Sequence, residues 1–239
     1  MYIDRRSAGV CLPLFSIRST PSWGIGEFPD VARIAPWLAE AKLPVFMMLP
    51  LVEVALGQDS PYSAQSAFAL DPIYIALEQV PEFAALGGDG ALPEEDRRDL
   101  EAVRARRTID YATVRRLKEK WLRACFEKWE SSDAKGGERG QDLARFRQEQ
   151  AAWLPDYLLF RALKEAHARD WWRNWAPGLR DREPAALEEA RQKHAREIAF
   201  YEYVQWLAFR QLGAARREAK KHGIALVGDL PFLVAEDSA

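Results

Sequence analysis

Three short apolar runs, each bounded by turn residues, constrain the fold of this chain more than any other feature of its sequence. The first covers residues 8–14, the second covers 44–50, and the third begins at Ile224 and ends at the acid Asp229. Runs of this length without polar alternation are typical of parallel strands that are buried on both faces. Between the first two runs, apolar residues of the segment 27–42 recur with the period of a helix. The sequence therefore predicts an α/β fold with a parallel sheet covered on both faces.

A long helical segment separates the second apolar run from the third. Helical patterns cover about 94–131, 142–173 and 184–221, and the stretch 131–141 has the composition of a flexible link. The last helix is expected to end near Gly223, because glycine commonly follows a helix C-terminus. The predicted order is strand, helix, strand, a large helical insertion, helix and strand.

The segments that follow the three strands form the candidate functional region. Parallel sheets bind ligands where their strands end, so we expect the loops 15–26 and 51–74 and the segment after Asp229 to share one face. A buried acid at a strand end needs a cation, donor hydrogens or ligand hydroxyls around it. The Asp-Ser-Pro-Tyr motif at 59–62 holds a carboxylate, a hydroxyl and a ring in a proline-stiffened loop, which suits polyol recognition. The plainer alternatives are a structural acid that caps the next element and a surface turn whose tyrosine packs into the core.

Composition and charge exclude several classes of function. Lys and Arg number 34 and Asp and Glu number 36, a net charge of −2 without a basic cluster, which argues against nucleic acid as a partner. The two cysteines and three histidines lack metal-ligand spacing, so no metal site is expected. No apolar run approaches the length of a membrane span, and the N-terminus lacks a signal-peptide core, so we expect a cytoplasmic protein. Nine Trp, seven Tyr and eleven Phe indicate mainly core packing, with sugar-stacking platforms as the alternative.

In their order and spacing, the motifs of this chain resemble those of the 4-α-glucanotransferases known as amylomaltases or disproportionating enzymes, glycoside hydrolase family 77. The resemblance runs over nearly the whole chain and rests on Trp23–Gly26, Asp59–Tyr62, Ser66–Ala69, Ile109–Tyr111, Phe160–Lys164, Phe209–Gln211 and Gly228–Ala239. Two places depart from the family pattern. Residues 14–19 stand where His-Pro-Thr-Ser-Leu-Pro is usual, and Asp71-Pro72 stands where Asn-Pro is usual.

The resemblance implies a particular fold and reaction. The expected fold is α/β, a partial (β/α)₈ TIM barrel that comprises the first three strands, with a large helical insertion between strands 2 and 3. Residues 1–80 are expected to form the first two βα units, 81–195 the insertion, and 196–239 a helix and the third strand. The implied reaction transfers α-1,4-glucan segments between maltooligosaccharides, with glucose as an acceptor, by a retaining double displacement that uses carboxylates and no cofactor.

The resemblance also implies roles for individual residues. Ser60 and Tyr62 are expected to line substrate subsites, and Asp229 is expected to support the site around the central sugar. Asp59 and Asp237 are expected to structure their loops. The family's nucleophile and acid/base follow later strands, beyond residue 239, so we expect no catalytic residue in this chain and no activity from it alone.

Two other classes of function remain open. A non-catalytic glucan-binding module would keep the face that carries Tyr62 and Asp229 and would never have had a nucleophile. A helical interaction protein would use residues 94–221 to bind a protein partner and would retain the strands as a vestige.

Overall fold

A computed structural model describes residues 6–55, 57–231 and 234–239. Residues 1–5, Leu56, Phe232 and Leu233, which include parts of the N-terminal and motif predictions, lie outside the described residues. Three strands, β1 (Gly9–Cys11), β2 (Val45–Met47) and β3 (Ala225–Val227), form a parallel sheet in the order β1-β2-β3. The three predicted parallel strands are therefore confirmed, although each is shorter than its apolar run.

Helices make up most of the remaining described chain. The α-helices are α1 (Phe28–Glu40), α2 (Pro81–Ala85), α3 (Glu94–Ala105), α4 (Tyr111–Glu130), α5 (Glu138–Glu149), α6 (Leu154–Ala166), α7 (Pro177–Arg180), α8 (Pro184–Lys193) and α9 (Ala195–Lys221). Helix α9 packs along α1 and against α6, and α2 and α3 pack against α4. Among the described residues, no helix combines the length and the apolar character that crossing a membrane requires.

The sheet is covered by helices on one face. Val10, Phe46 and Leu226 are aligned across the three strands and pack into the main hydrophobic core. On the opposite face Cys11 is exposed, and Met47 keeps 37% of its surface exposed. The prediction of a sheet covered on both faces is therefore wrong for the described residues. The side chains on the uncovered face are also apolar, so each run is apolar throughout. Apolar composition alone does not show whether another element packs on that face.

The turn before α1 is shaped by a close backbone approach at Gly26 and by the helix cap at Glu27. A side chain at Gly26 would place its Cβ atom 1.8 Å from the carbonyl oxygen of Leu14, so only glycine fits there. Glu27 forms a capping box with Asp30, whose carboxylate accepts a hydrogen bond of 2.7 Å from the Glu27 amide. The glycine pair at 24 and 26 therefore forms a tight turn that leads into a helix cap.

The helix predicted for about 94–131 is divided in two, and its second part, α4, buries an apolar face. Asp110 accepts a hydrogen bond of 3.1 Å from the amide of Thr113 and caps the start of α4, which separates α4 from α3. The buried face of α4 is apolar, and its members are Val114, Leu117, Trp121, Leu122 and Cys125. The predicted glycine after α9 is also confirmed, because Gly223 takes a left-handed conformation there.

The stretch 131–141 is more ordered than its composition predicts. It contains a turn of 3₁₀ helix at Asp133–Gly136, and α5 already begins at Glu138. Arg139 forms an ion pair with Glu82 of α2, and the Tyr203 hydroxyl donates a 2.8 Å hydrogen bond to the same carboxylate. These tertiary contacts outweigh the local preference for a flexible link.

A buried ion pair joins α4 to the start of α1. The ammonium group of Lys118, a residue only 1% exposed, donates to Glu27 Oε1 at 2.6 Å and to the carbonyl oxygens of Ile73 and Ile75 at 2.5 and 2.8 Å. Desolvation raises the pKa of Glu27 and lowers the pKa of Lys118, and the attraction between the two charges opposes both shifts. The ion pair therefore holds the insertion, the α1 cap and the chain after β2 together.

Replacing Lys118 with Met is expected to lower the free energy of unfolding by about 3–5 kcal/mol, because the Glu27 carboxylate then stays buried without its cation. The double variant Glu27→Gln/Lys118→Met is expected to recover a large part of that loss. Urea unfolding followed by circular dichroism measures both changes. The exposed Lys220→Met serves as the control and is expected to change stability by less than about 0.5 kcal/mol. A Lys118→Met protein as stable as this control would show that the pair does not hold the fold together.

Candidate functional site

Two polar side chains meet beyond the carboxyl ends of β2 and β3. The Tyr62 hydroxyl donates a hydrogen bond of 2.7 Å to Asp229 Oδ2, although the two residues lie 167 positions apart in the chain. Both side chains are half-buried. The hydrogen bond to the carboxylate raises the pKa of Tyr62, so its hydroxyl remains protonated at neutral pH. The segments after β2 and β3 therefore share one face, as the sequence predicts.

The loop that carries Tyr62, residues 51–74, is folded back on itself. Isolated antiparallel bridges pair Val52 with Leu70 and Val54 with Ala64. At its tip Ser60 is exposed and its hydroxyl accepts a weak hydrogen bond of 3.4 Å from the Tyr62 amide. Asp59 is exposed and forms no hydrogen bond or ion pair with the described residues, so no contact there supports the loop-structuring role expected for it.

Two amide side chains of α9 bind the backbone near the end of this loop, one at Leu70 inside it and one at Ala76 just after it. Gln205 exchanges two hydrogen bonds, of 2.8 and 2.9 Å, with the backbone of Leu70. Gln211 exchanges two of 2.8 and 2.9 Å with the backbone of Ala76. Each glutamine thus satisfies a buried donor and a buried acceptor that would otherwise be unpaired. The loop is fixed before any ligand arrives.

Buried charges secure the base of the loop. Asp71 is fully buried and accepts hydrogen bonds of 2.9 and 2.7 Å from the two terminal nitrogens of Arg115. Glu53, also buried, accepts a bond of 2.7 Å from the Tyr157 hydroxyl and lies 3.2 Å from Arg161 Nε. The bidentate pair with Arg115 supplies the cation that the buried Asp71 carboxylate requires.

The end of the chain packs onto this loop and onto α6. Val234 forms a parallel bridge with Ala64, and the amide of Ala239 donates to the Gln65 carbonyl at 2.9 Å. Asp237 Oδ2 lies 2.5 Å from Lys164 Nζ, and its other oxygen accepts a 3.3 Å hydrogen bond from the Trp172 amide. Asp237 therefore joins the terminal segment to the residues that follow α6.

Two neighbouring cavities open beside the Tyr62 loop. One has a volume of about 640 Å³ and is bordered by Tyr62, Trp171 and Asp237. The other, of about 960 Å³, lies along α4 and is bordered by Asp59 and several basic residues. Gln58 and Arg169 border both cavities, so the two adjoin, and together they are called the cleft. A cleft of this size suits a small molecule or a short oligomer.

The basic residues of the larger cavity are paired within the protein. The pairs are Arg106 with Asp110, Arg115 with Asp71, Arg116 with Asp99, Lys120 with Asp96, Arg123 with Glu197, and Arg169 with Glu119. Paired cations have less positive potential to offer an anionic ligand than unpaired cations have. The cleft therefore favours neutral, hydroxyl-rich ligands.

Sequence reasoning did not identify four residues that position the site. Arg115, Lys164 and Gln205 lie on helices. The sequence signal for such residues is a single polar residue at a helix position where burial is expected. Trp171 lies in a segment that the sequence predicts as helical and that the structure shows as a turn after α6. Their partners are distant in sequence, so no local pattern relates them to the motif at 59–62.

One thiol is expected to react with alkylating reagents in the folded protein. Cys11 is exposed at the carboxyl end of β1 and interacts electrostatically with Tyr62. Cys125 is buried, and burial raises its pKa to about 12. Mass spectrometry after brief iodoacetamide treatment is expected to show a single adduct, on Cys11, and two adducts after denaturation in urea. Cys11→Ser should remove the fast adduct and Cys125→Ser should keep it; rapid labelling of Cys125 in the native protein would contradict the buried position.

The comparison with known sequences identifies relatives. A family model described as 4-alpha-glucanotransferase, glycoside hydrolase family 77, matches residues 12–239. A 4-alpha-glucanotransferase of Thermus thermophilus is 38% identical over 219 residues, which is 91% of this chain and 41% of that protein. One of Synechocystis sp. is 34% identical over 238 residues, which is 99% of this chain and 45% of that protein. The chain thus spans less than half the length of these relatives.

Solved structures show the same similarity. An amylomaltase from Streptococcus agalactiae, in complex with acarbose, superposes with a TM-score of 0.81 at 25% identity and covers 98% of this chain and 45% of that one. An amylomaltase from Corynebacterium glutamicum gives a TM-score of 0.74 at 26% identity, covering 95% of this chain and 30% of that one. Nearly all of the chain therefore has the fold of the matching part of these enzymes.

Proposed function

The chain belongs to the 4-alpha-glucanotransferase family, and we propose that its strand-end face binds α-1,4-glucans. The observation that carries the proposal is the hydrogen bond of 2.7 Å between Tyr62 and Asp229. It brings together a phenol and a carboxylate at the sheet edge where parallel folds bind their ligands. The amylomaltase from Streptococcus agalactiae is in complex with acarbose, which supports a carbohydrate ligand for this fold.

In the proposed complex each site residue has a distinct part. The half-buried carboxylate of Asp229 accepts hydrogen bonds from sugar hydroxyls, and Tyr62 fixes its orientation. The Tyr62 ring offers an apolar surface to a sugar face. The exposed hydroxyl of Ser60 at the tip of the same loop supplies a further polar contact.

We further propose that the sheet is the first part of a (β/α)₈ barrel with the helical insertion between its second and third strands. The division at 1–80, 81–195 and 196–239 belongs to this proposal. The uncovered sheet face, with Cys11 exposed and Met47 37% exposed, would then line the barrel interior. A cytoplasmic location also remains part of the proposal.

The reaction of the whole protein is proposed to be retaining glucan transfer. A double displacement needs a carboxylate nucleophile and a second carboxyl group that acts as acid and then base. The nucleophile motif that the resemblance implies, Arg-x-Asp-His, does not occur in this chain. We therefore propose that this chain contributes substrate binding and that the reacting carboxylates are supplied from outside its sequence.

Asp229→Asn is expected to weaken the binding of maltoheptaose about tenfold or more, because hydrogen bonds to a charged acceptor are stronger than those to a neutral one. Tyr62→Phe, which keeps the ring and removes the donor, is expected to have a smaller effect. Isothermal titration calorimetry of the folded variants measures both. Asp133→Asn, an exposed acid-to-amide change in the turn before α5, is the matched control. If Asp229→Asn bound maltoheptaose as tightly as this control, Asp229 would not be part of the binding site.

The purified 239-residue chain is expected to release no glucose from maltotriose. The physical reason is that neither reacting carboxylate of the proposed double displacement is present. A coupled glucose assay at high protein concentration, with a heat-treated sample as the blank, checks this expectation. Turnover clearly above the blank would show that the chain has its own catalytic carboxylates.

A further inference from the structure

A tryptophan faces the Tyr62 loop across the smaller cavity. Trp171 borders the cavity of about 640 Å³ together with Tyr62, and it lies in the turn that follows α6. We propose that Trp171 is a stacking platform for a second sugar unit of the glucan, on the α6 side of Tyr62. This inference rests on the proposed function and adds a subsite to it.

The surroundings of Trp171 differ from those of the core tryptophans. Trp129, Trp153 and Trp206 each contact other aromatic rings in the interior or at its edge. Among the described residues, Trp171 contacts no aromatic ring, and its indole N–H forms no hydrogen bond. The guanidinium carbon of Arg173 lies 4.6 Å from its ring centroid. An indole with a cation at its ring and an unused donor beside a cavity is suited to a ligand that has both apolar faces and hydroxyls.

The turn that presents Trp171 is fixed by buried and local hydrogen bonds. Lys164, which is 1% exposed, donates to the carbonyl oxygens of Arg169 and Asp170 at 3.0 and 2.7 Å and also pairs with Asp237. The Asp170 carboxylate accepts the Trp171 amide at 2.7 Å. A platform that is rigid before binding loses little conformational freedom when the ligand arrives.

The backbone of this turn carries strain, which is consistent with a functional role. Ala168 and Arg169 both have left-handed backbone angles, with φ of 50° and 65°. Such conformations are unfavourable for residues other than glycine and persist where other contacts enforce them. The contacts of Lys164 enforce them here. At these two residues the chain turns sharply, and this turn places Trp171 beside the cavity.

The polar groups around the platform select a neutral ligand. Gln58 borders the same cavity, and its exposed side chain offers an amide donor and acceptor. Arg169 is paired with Glu119 and Glu165, and Glu236 lies 2.6 Å from Arg173. Since these charges already have partners, the cavity favours hydroxyl groups over phosphate or carboxylate groups. A glucan with free hydroxyls meets this requirement.

The test compares chain lengths in a Trp171→Ala variant. We expect Trp171→Ala to weaken maltoheptaose binding about three- to tenfold, the range for loss of one aromatic stacking contact, and to leave maltose binding nearly unchanged. Trp171→Phe is expected to keep most of the affinity. Trp37→Ala is the matched control, because Trp37 is a 55% exposed tryptophan on α1 that borders neither cavity. Isothermal titration calorimetry gives the affinities.

Tryptophan fluorescence supplies a second measurement that does not require the alanine variant to fold. The intensity change that maltoheptaose causes in the unmodified chain should be largely lost in Trp171→Phe and retained in Trp37→Ala. If maltoheptaose binds the unmodified chain but Trp171→Phe keeps the full fluorescence change, or Trp171→Ala keeps the full affinity, the platform is refuted while the proposed function stands. If the unmodified chain binds no maltooligosaccharide, the proposed function itself fails.

Discussion

The buried ammonium group of Lys118 is the contact on which the arrangement of this chain depends. It connects α4 to the cap of α1 through Glu27, and to the chain after β2 through the carbonyl oxygens of Ile73 and Ile75. A cation removed from water is tolerated only where several acceptors lie close to it, so this geometry permits little displacement. The helices between β2 and β3 are thereby fixed relative to the sheet, and so is the loop that carries the candidate site.

That loop is held by polar contacts from two sides. Gln205 of α9 binds its backbone at Leu70, Gln211 binds the chain just after it at Ala76, and Arg115 of α4 neutralises the buried Asp71 at its base. These contacts and the hydrogen bond between Tyr62 and Asp229 all lie within the folded chain. The conformational cost of ordering the loop therefore belongs to folding.

Continuous apolar runs predicted the three strands and apolar periodicity predicted α1, because both signals arise from burial. The apolar pattern could not show that the sheet face near Met47 is uncovered, because an apolar side chain can be exposed as well as buried. The meeting of Tyr62 with Asp229 could be predicted because both follow neighbouring parallel strands. The contacts of Lys164 and the position of Trp171 could not be predicted. Both depend on a strained turn inside a segment whose sequence pattern is helical.

The distribution of charge explains why a cleft bordered by so many arginines suits a neutral ligand. Arg115 is paired with the buried Asp71, and Arg169 is paired with Glu119 and Glu165. An anionic ligand would have to compete with these internal carboxylates, which are already placed at hydrogen-bonding distance. A neutral polyol has only to displace water, and it gains apolar contact with the rings that border the cleft. The buried acid and the paired arginines therefore act together to stabilise the loop without making the cleft an anion site.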